Sequence, residues 1–227
     1  MTISLAIAGA NGRMGAALLD AAAKDARFSV AGSTTRGASA QTAAAAADVW
    51  IDFTTPDATL TALDALTHTK VRAAIIGTTG LNAEQSARIA TAAQRIAIVY
   101  SGNFSLGVNV LAALVHEAAA KLGPDWDLKI TETHHARKVD APSGTALMLA
   151  NAAATGQRPA AGINIASIRT GDFIGEHDVV FASPRETLTL AHKALDRALF
   201  ADGALAAAAW AAGQPPGLYT MKDVLGL

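Results

Sequence analysis

The sequence contains no cysteine. That excludes disulfides, thiolate nucleophiles and zinc–thiolate sites together, and it fits a reducing compartment. Aromatic residues are only 5% of the 227 positions, against 51% hydrophobic residues. The interior must therefore be packed mainly from Ala, Val, Ile and Leu. An excess of one charge is missing too: 18 Lys and Arg face 19 Asp and Glu. Neither sign accumulates along the chain, so binding to nucleic acid or to a membrane surface gains no electrostatic support. No apolar run reaches the ~20 residues needed to span a bilayer. The opening residues Thr2, Ile3, Ser4, Leu5 and Ala6 carry no basic segment and lead straight into a glycine-rich turn. A signal peptide is not expected, and a cytoplasmic location is.

What the sequence does contain is an alternation. Apolar runs at 3–8, 28–32, 49–53, 71–76 and 96–100 are rich in Val and Ile and nearly continuous, as in strands buried on both faces of a parallel sheet. Helix-length segments at 14–24, 57–67 and 82–94 separate them, and the alanine tract at 43–47 predicts a further short helix. Such alternation predicts a Rossmann-like, doubly wound α/β domain. The organisation then changes. One long amphipathic helix is expected over 106–122, followed by strands at 128–134, 163–169, 178–182 and 187–192 with a single helix near 146–154. That pattern predicts a second, α+β domain with a mixed sheet. A helix at 202–212 and a short closing segment at 217–227 complete the chain. The expected boundaries are 1–104 with 197–227 for a dinucleotide-binding domain and 105–196 for a substrate-binding and oligomerisation domain. No internal repeat or long Pro/Gly/Ser linker is evident.

The first strand runs into Gly9, Ala10, Asn11, Gly12, Arg13, Met14 and Gly15, and a helix follows. Glycines allow close backbone approach to a pyrophosphate, and a helix N-terminus offers N–H groups and the positive end of a dipole. Against a strict G-x-G-x-x-G, Asn11 and Met14 stand where glycine is expected, and Asn tolerates left-handed dihedrals. The competing reading is an ordinary strand–helix turn. After the second strand, Ser33-Thr34-Thr35-Arg36 offers no acid for ribose hydroxyls. Arg36 is either a partner for a ribose 2′-phosphate, favouring NADPH, or a solvated loop arginine. Gly77, Thr78, Thr79 and Gly80 follow the fourth strand, and Ser101, Gly102, Asn103 and Phe104 follow the fifth. Both segments fall where open α/β sheets bind ligands, and either lines a nicotinamide or is a plain turn.

The sharpest local signal is Glu132-Thr133-His134-His135-Ala136-Arg137-Lys138-Val139-Asp140-Ala141-Pro142-Ser143-Gly144-Thr145. Two imidazoles, a guanidinium and an ammonium fall within five positions, and Ser143-Gly144-Thr145 opens a helix. Cations beside a helix N-terminus form a carboxylate receptor, and histidine exchanges protons near neutral pH. Metal binding by the histidine pair lacks a third ligand at the usual spacing, and adjacent strand residues face opposite ways. A solvated surface loop is the other alternative.

These motifs occur in order with Asp52-Phe53-Thr54, Ser105-Leu106-Gly107-Val108-Asn109 and Gly175-Glu176-His177. Together the chain resembles the dihydrodipicolinate reductase (4-hydroxy-tetrahydrodipicolinate reductase) family over nearly its whole length. It is somewhat short for that family, between Arg36 and Asp48 and before Ile163. The resemblance implies NADPH- or NADH-dependent reduction of a small cyclic dicarboxylate in lysine and diaminopimelate biosynthesis, without a metal. It implies His134 as catalytic acid/base and Lys138 as a second proton-donating residue, with substrate contacts from His135, Ser143, Gly144 and Thr145. Cofactor contacts are implied at Gly9, Ala10, Asn11, Gly12, Arg13, Met14, Gly77, Thr78, Thr79, Ser101, Gly102, Asn103 and Phe104. Arg36 falls at the position for the 2′-phosphate, with Thr35 replacing the usual acid. A homotetramer joined through the sheets of the substrate domains is also implied. The rival readings are another two-domain dehydrogenase of a small carboxylate, and a non-catalytic dinucleotide sensor. The sensor would be expected to carry a basic DNA-binding element, and none is visible.

Overall fold

The computed structural model describes residues 2–156 and 163–227. The shortening expected before Ile163 lies outside the described residues. Two compact units are present, Met1–Ser105 with Ala198–Leu227, and Leu106–Arg197.

In the first unit, β1 (Ile3–Ile7), β2 (Phe28–Ser33), β3 (Val49–Asp52), β4 (Ala73–Ile76), β5 (Ala97–Tyr100) and β10 (Gly217–Tyr219) form one sheet in the order β10-β5-β4-β3-β1-β2. All neighbours are parallel. Alternate side chains enter two apolar layers. Leu5, Ile7, Val49, Ile51, Ile75 and Val99 meet α1 (Arg13–Ala23), α7 (Ala198–Ala211) and α8 (Met221–Leu225) on one face. On the other, Ala6, Trp50, Ala74, Ile76 and Ile98 meet α2 (Ala40–Ala44), α3 (Pro56–Leu66) and α4 (Ala83–Ala92). Burial on both faces is why β1, β3, β4 and β5 read as unbroken apolar runs. Strand β2 is at the edge and is mostly exposed after Phe28. The alanine-rich α7 allows close contact: a Cβ at Gly203 would sit 1.7 Å from the Phe104 carbonyl oxygen.

The strand order reverses beside β1, where the chain passes first to β2 and then back across to β3. The crevice at the carboxyl ends of β1 and β3 is therefore the switch point where such sheets bind ligands. Two details differ from the sequence reading. The closing segment contributes a sixth strand, β10, paired with β5, and three residues with no alternation gave no strand signal. The short helix expected at 43–47 forms at Ala40–Ala44 instead, because the Ser39 side chain caps it by accepting from the Thr42 N–H.

In the second unit, β6 (Asp127–His134), β7 (Asn164–Arg169), β8 (Glu176–Ala182) and β9 (Thr187–Lys193) form a mixed sheet in the order β7-β6-β8-β9. Strands β6 and β7 are parallel and the other pairs are antiparallel. Leu128, Ile130, Val179 and Phe181 pack against Leu111 and Val115 of α5 (Leu106–Leu122) and Leu149 and Ala153 of α6 (Gly144–Thr155). Glu132 and His134 continue the same face of β6, so the strand carries them inward where the apolar core ends. Among the described residues no helix is long and apolar enough to cross a membrane.

Candidate active site

The first unit presents a cleft of about 490 Å³ walled by Gly9, Asn11, Gly12, Arg13, Met14 and Arg36. Gly9 adopts φ +67°, and Gly12 is the N-cap of α1 with no side chain capping the helix and no acid in its first turn. The N–H groups of Arg13 and Met14 thus have no intrahelical acceptor, and the dipole's positive end is uncompensated. A Cβ at Gly9 would meet Thr54 at 2.8 Å, and one at Gly15 would lie 2.1 Å from the Gly9 carbonyl oxygen. The close approaches in this turn are thus made by glycines 9, 12 and 15, where the sequence reading had compared Asn11 with a glycine. Gly15 provides the close helix–strand approach, while Asn11 is exposed on the cleft wall. A backbone cradle facing open helix N–H groups fits a dinucleotide pyrophosphate.

Arg36 is exposed and also borders a second cleft, about 800 Å³, with Thr34, Thr35, Asp52 and Asp57. At the end of β3, Asp52 is 1% exposed and accepts hydrogen bonds from the Thr54 N–H (2.9 Å) and the Thr54 hydroxyl (2.6 Å). Thr78 is buried, with its hydroxyl 2.8 Å from that of Thr59, so its side chain belongs to the interior. Phe104 is likewise core, edge-on to Phe53 at 5.1 Å, and Phe53 covers Gly77 where a Cβ would collide at 2.0 Å. The Thr78 and Phe104 side chains are therefore not available to line a nicotinamide. Thr79, Gly80 and Gly102 are exposed. Ser101 and Asn103 brace their own turn, the serine hydroxyl donating to the Asn103 carbonyl at 2.8 Å.

The second unit holds a buried polar cluster. Glu132 and His134 lie two apart on β6 and so share a face, and Glu132 receives the His134 Nδ1. Arg169, at the end of β7, donates to both Glu132 oxygens at 2.6 and 2.9 Å. The Ser143 N–H donates to the same carboxylate at 3.2 Å. Burial would push the Glu132 carboxyl up. Bonds from Arg169, Ser167, His134 and the Ser143 backbone outweigh that and hold it at about 2. An ionised carboxylate only accepts, so the proton on the His134 ring sits at Nδ1 and Nε2 is left for exchange. Gly175 flanks that atom, and a Cβ there would lie 3.1 Å from Nε2. Burial lowers the His134 pKa, Glu132 opposes the shift, and Lys138 and Arg169 add to it.

His177 packs edge-on against His134 at 5.1 Å and faces the Ser143 hydroxyl from Nε2 at 3.3 Å. Burial, with His134 nearby, pushes it down to about 4. Ser143 caps α6 by accepting from the Ala146 N–H at 3.1 Å. Gly144 is exposed with open space beside it. Lys138 pairs with Asp140 at 2.8 Å and holds that carboxyl below its ordinary value. His135 follows the end of β6 and is half-buried, and its buried Nδ1 has no hydrogen-bond partner among the described residues.

The structure thus brings His134, Ser143 and Gly144 to one end of the sheet and adds Glu132, Arg169 and His177, which the sequence reading gave no role. The pairing Glu132↔His177 in β6 and β8 was the hidden signal. It also supplies the third ligand that the sequence spacing lacked: Glu132, His134 and His177 bring ligand atoms within 4.8 Å of one another. Arg169 already neutralises that carboxylate through both oxygens, so a dication would have to displace a bidentate guanidinium. The donor set suits proton transfer better than metal binding.

Residues 3–104 match the family model for the dihydrodipicolinate reductase N-terminus, and residues 107–225 match that for its C-terminus. A 4-hydroxy-tetrahydrodipicolinate reductase of Caulobacter vibrioides is 48% identical over 250 residues, covering 99% of this chain and 97% of that protein. One from Zymomonas mobilis is 44% identical over 250 residues, covering 100% and 98%. The fold matches a dipicolinate-bound dihydrodipicolinate reductase from Paenisporosarcina sp. TG-14 with TM-score 0.84 at 23% identity, over 98% of this chain and 99% of that one. An amine dehydrogenase from Mycobacterium smegmatis shares the fold less closely, with TM-score 0.63 at 12% identity over 97% and 95%. The chain belongs to the dihydrodipicolinate reductase family of NAD(P)H-dependent oxidoreductases.

Proposed function

We propose that this chain reduces 4-hydroxy-tetrahydrodipicolinate to tetrahydrodipicolinate, with loss of water, in lysine and diaminopimelate biosynthesis. The observation that carries this reading is the His134 imidazole, oriented by Glu132 beside the capped N-terminus of α6. The reaction consumes substrate, reduced cofactor and one proton, and yields product, oxidised cofactor and water. When bound, the reduced nicotinamide supplies the hydride.

The residues of this chain do the rest. The 9–15 cradle, with Arg13 and Met14 N–H groups, holds the dinucleotide phosphates. Gly77, Thr79 and Gly102 let the backbone pass close to it, and Arg36 meets a 2′-phosphate. The N-terminus of α6 at Gly144 and Thr145, with His135, receives a substrate carboxylate. Lys138 exchanges its Asp140 partner for substrate charge. His134 delivers the proton from Nε2 to the carbon next to the one that accepts hydride. Its imidazolium is costly to bury, which makes it a stronger acid, while Glu132 keeps it oriented for reprotonation. A positioned acid of this kind contributes ~10²–10⁴-fold.

The first unit is the dinucleotide domain and the second the substrate domain. Helices α5 and α6 cover one face of the second sheet, while Thr131, Thr133, Ala166 and Ile168 lie on the other, Ile168 being 44% exposed. That open face supports assembly into a homotetramer. The cysteine-free composition supports a cytoplasmic location.

Purified protein is expected to oxidise NADPH or NADH only when the hydroxy-dicarboxylate is generated in the assay. His134→Gln should lower kcat far more than it raises KM, because a proton donated in the transition state is lost. Near-normal kcat in that variant would remove His134 from the mechanism.

A further inference from the structure

Arg169 is 37 residues from Glu132 in sequence and lies opposite His134 in the parallel β6–β7 register. Its two terminal nitrogens donate to four acceptors, both Glu132 oxygens, the Asp140 carbonyl at 2.6 Å and the Ile168 carbonyl at 2.8 Å, while its buried Nε has no partner among the described residues. The Asp140 contact matters because the segment after β6 has few anchors of its own. Between His134 and Ser143 it is held by the His135 N–H to Phe173 and the Ala136 N–H to Gly171, both in the loop after β7. Beyond Lys138, Arg169 at Asp140 and Glu132 at Ser143 are the bonds that bring the chain back to the sheet. One ion pair therefore grips the acid at one end and the helix N-terminus at the other.

We propose that Arg169 is a positioning residue that couples the proton donor to the carboxylate receptor: it fixes Glu132, which orients His134 and anchors Ser143, and it clamps the intervening loop at Asp140. This rests on the reaction proposed above for His134 and the α6 N-terminus. The fork geometry is essential, since a planar guanidinium serves a carboxylate bidentately and a carbonyl together, whereas an ammonium offers a point charge. The groups that face His134 are Glu132 on its own strand, Lys138 in the loop, Arg169 on β7 and His177 on β8, with His192 of β9 behind His177. Removing the Arg169 charge lets the Glu132–His134 pair hold its proton more tightly. Removing the Glu132 charge does the reverse.

The test uses the full chain with Arg169→Met, Arg169→Lys and Glu132→Gln. Four quantities are measured: kcat, KM, dipicolinate affinity as a stable dicarboxylate probe, and the pH midpoint of His134 by NMR. For Arg169→Met, kcat should fall about 10²-fold, the cost expected of a misplaced reacting group. Its dipicolinate affinity should fall about tenfold, its midpoint should rise, and its NADPH affinity should stay at the parental value. Glu132→Gln should shift the midpoint downward. Arg169→Lys should recover the midpoint but not kcat, and it carries the test if the methionine variant does not fold. Parental kcat and dipicolinate affinity in Arg169→Met, or full recovery by lysine, would overturn the proposal. Loss of folding without opposite midpoint shifts in the folded variants would reduce Arg169 to a structural brace and overturn it too. Absence of turnover in the parent would instead overturn the reaction, because dipicolinate binding and the His134 titration are read without catalysis.

Discussion

Gly15 approaches Gly9 so closely that a Cβ on Gly15 would sit 2.1 Å from the Gly9 carbonyl oxygen. The first turn of α1 and the end of β1 are thereby locked at a separation only glycine permits. Gly15→Ala must push α1 away from the turn proposed to cradle the pyrophosphate. Overpacking of this kind costs ~1–3 kcal/mol. Calorimetry should show NADH and NADPH affinity falling together, about tenfold or more, with a lower melting temperature. Unchanged affinity for both would mean that the cradle is not the phosphate site.

Arg36 tests cofactor choice. It is exposed at the border of two clefts, beside Thr35 where an acid would repel a 2′-phosphate. A charge-assisted contact is worth ~1.5–3 kcal/mol, and exposure favours the low end. Arg36→Ala should raise KM for NADPH about tenfold and leave NADH nearly untouched, with the difference shrinking as salt screens it. An equal loss for both cofactors would assign Arg36 to another part of the dinucleotide.

Acid should destabilise the fold in two stages. Unfolded, His177 takes a proton at its ordinary 6.5, whereas in the fold it stays neutral down to about 4. The unfolded state binds the extra proton, so the stability His177 contributes is complete above 6.5 and is lost as pH falls toward 4. Glu132, with an ordinary value of 4.5 lowered to about 2, extends the loss through the lower window. Urea denaturation should find the protein roughly 2 kcal/mol less stable at pH 5 than at pH 7 from His177 alone. His177→Gln should reduce the loss over that interval, with His134 and His192, also lowered by burial, retaining part of it, while leaving the lower one. A variant as acid-sensitive as the parent between pH 7 and 5 would place the effect on other groups.

The elements of the fold were legible wherever burial imposes a period. Doubly buried β1, β3, β4 and β5 announced themselves as apolar runs, and α5 was readable over its full length, Leu106–Leu122. The three-residue β10 was not, because its place depends on an edge left vacant by β5. Local chemistry likewise marked His134, Lys138, Ser143 and the glycine turn, since cations and caps adjoin one another in sequence. The sequence by itself determined the strand–helix alternation of the first sheet, the change to a mixed sheet after it, and the residue types proposed for phosphate and carboxylate binding. Only the tertiary structure decided which glycines touch, that Thr78 and Phe104 face inward, and that Arg169 and His177 join Glu132 and His134. Register across strands far apart in sequence sets those contacts, and a one-residue slip would turn every side chain to the opposite face.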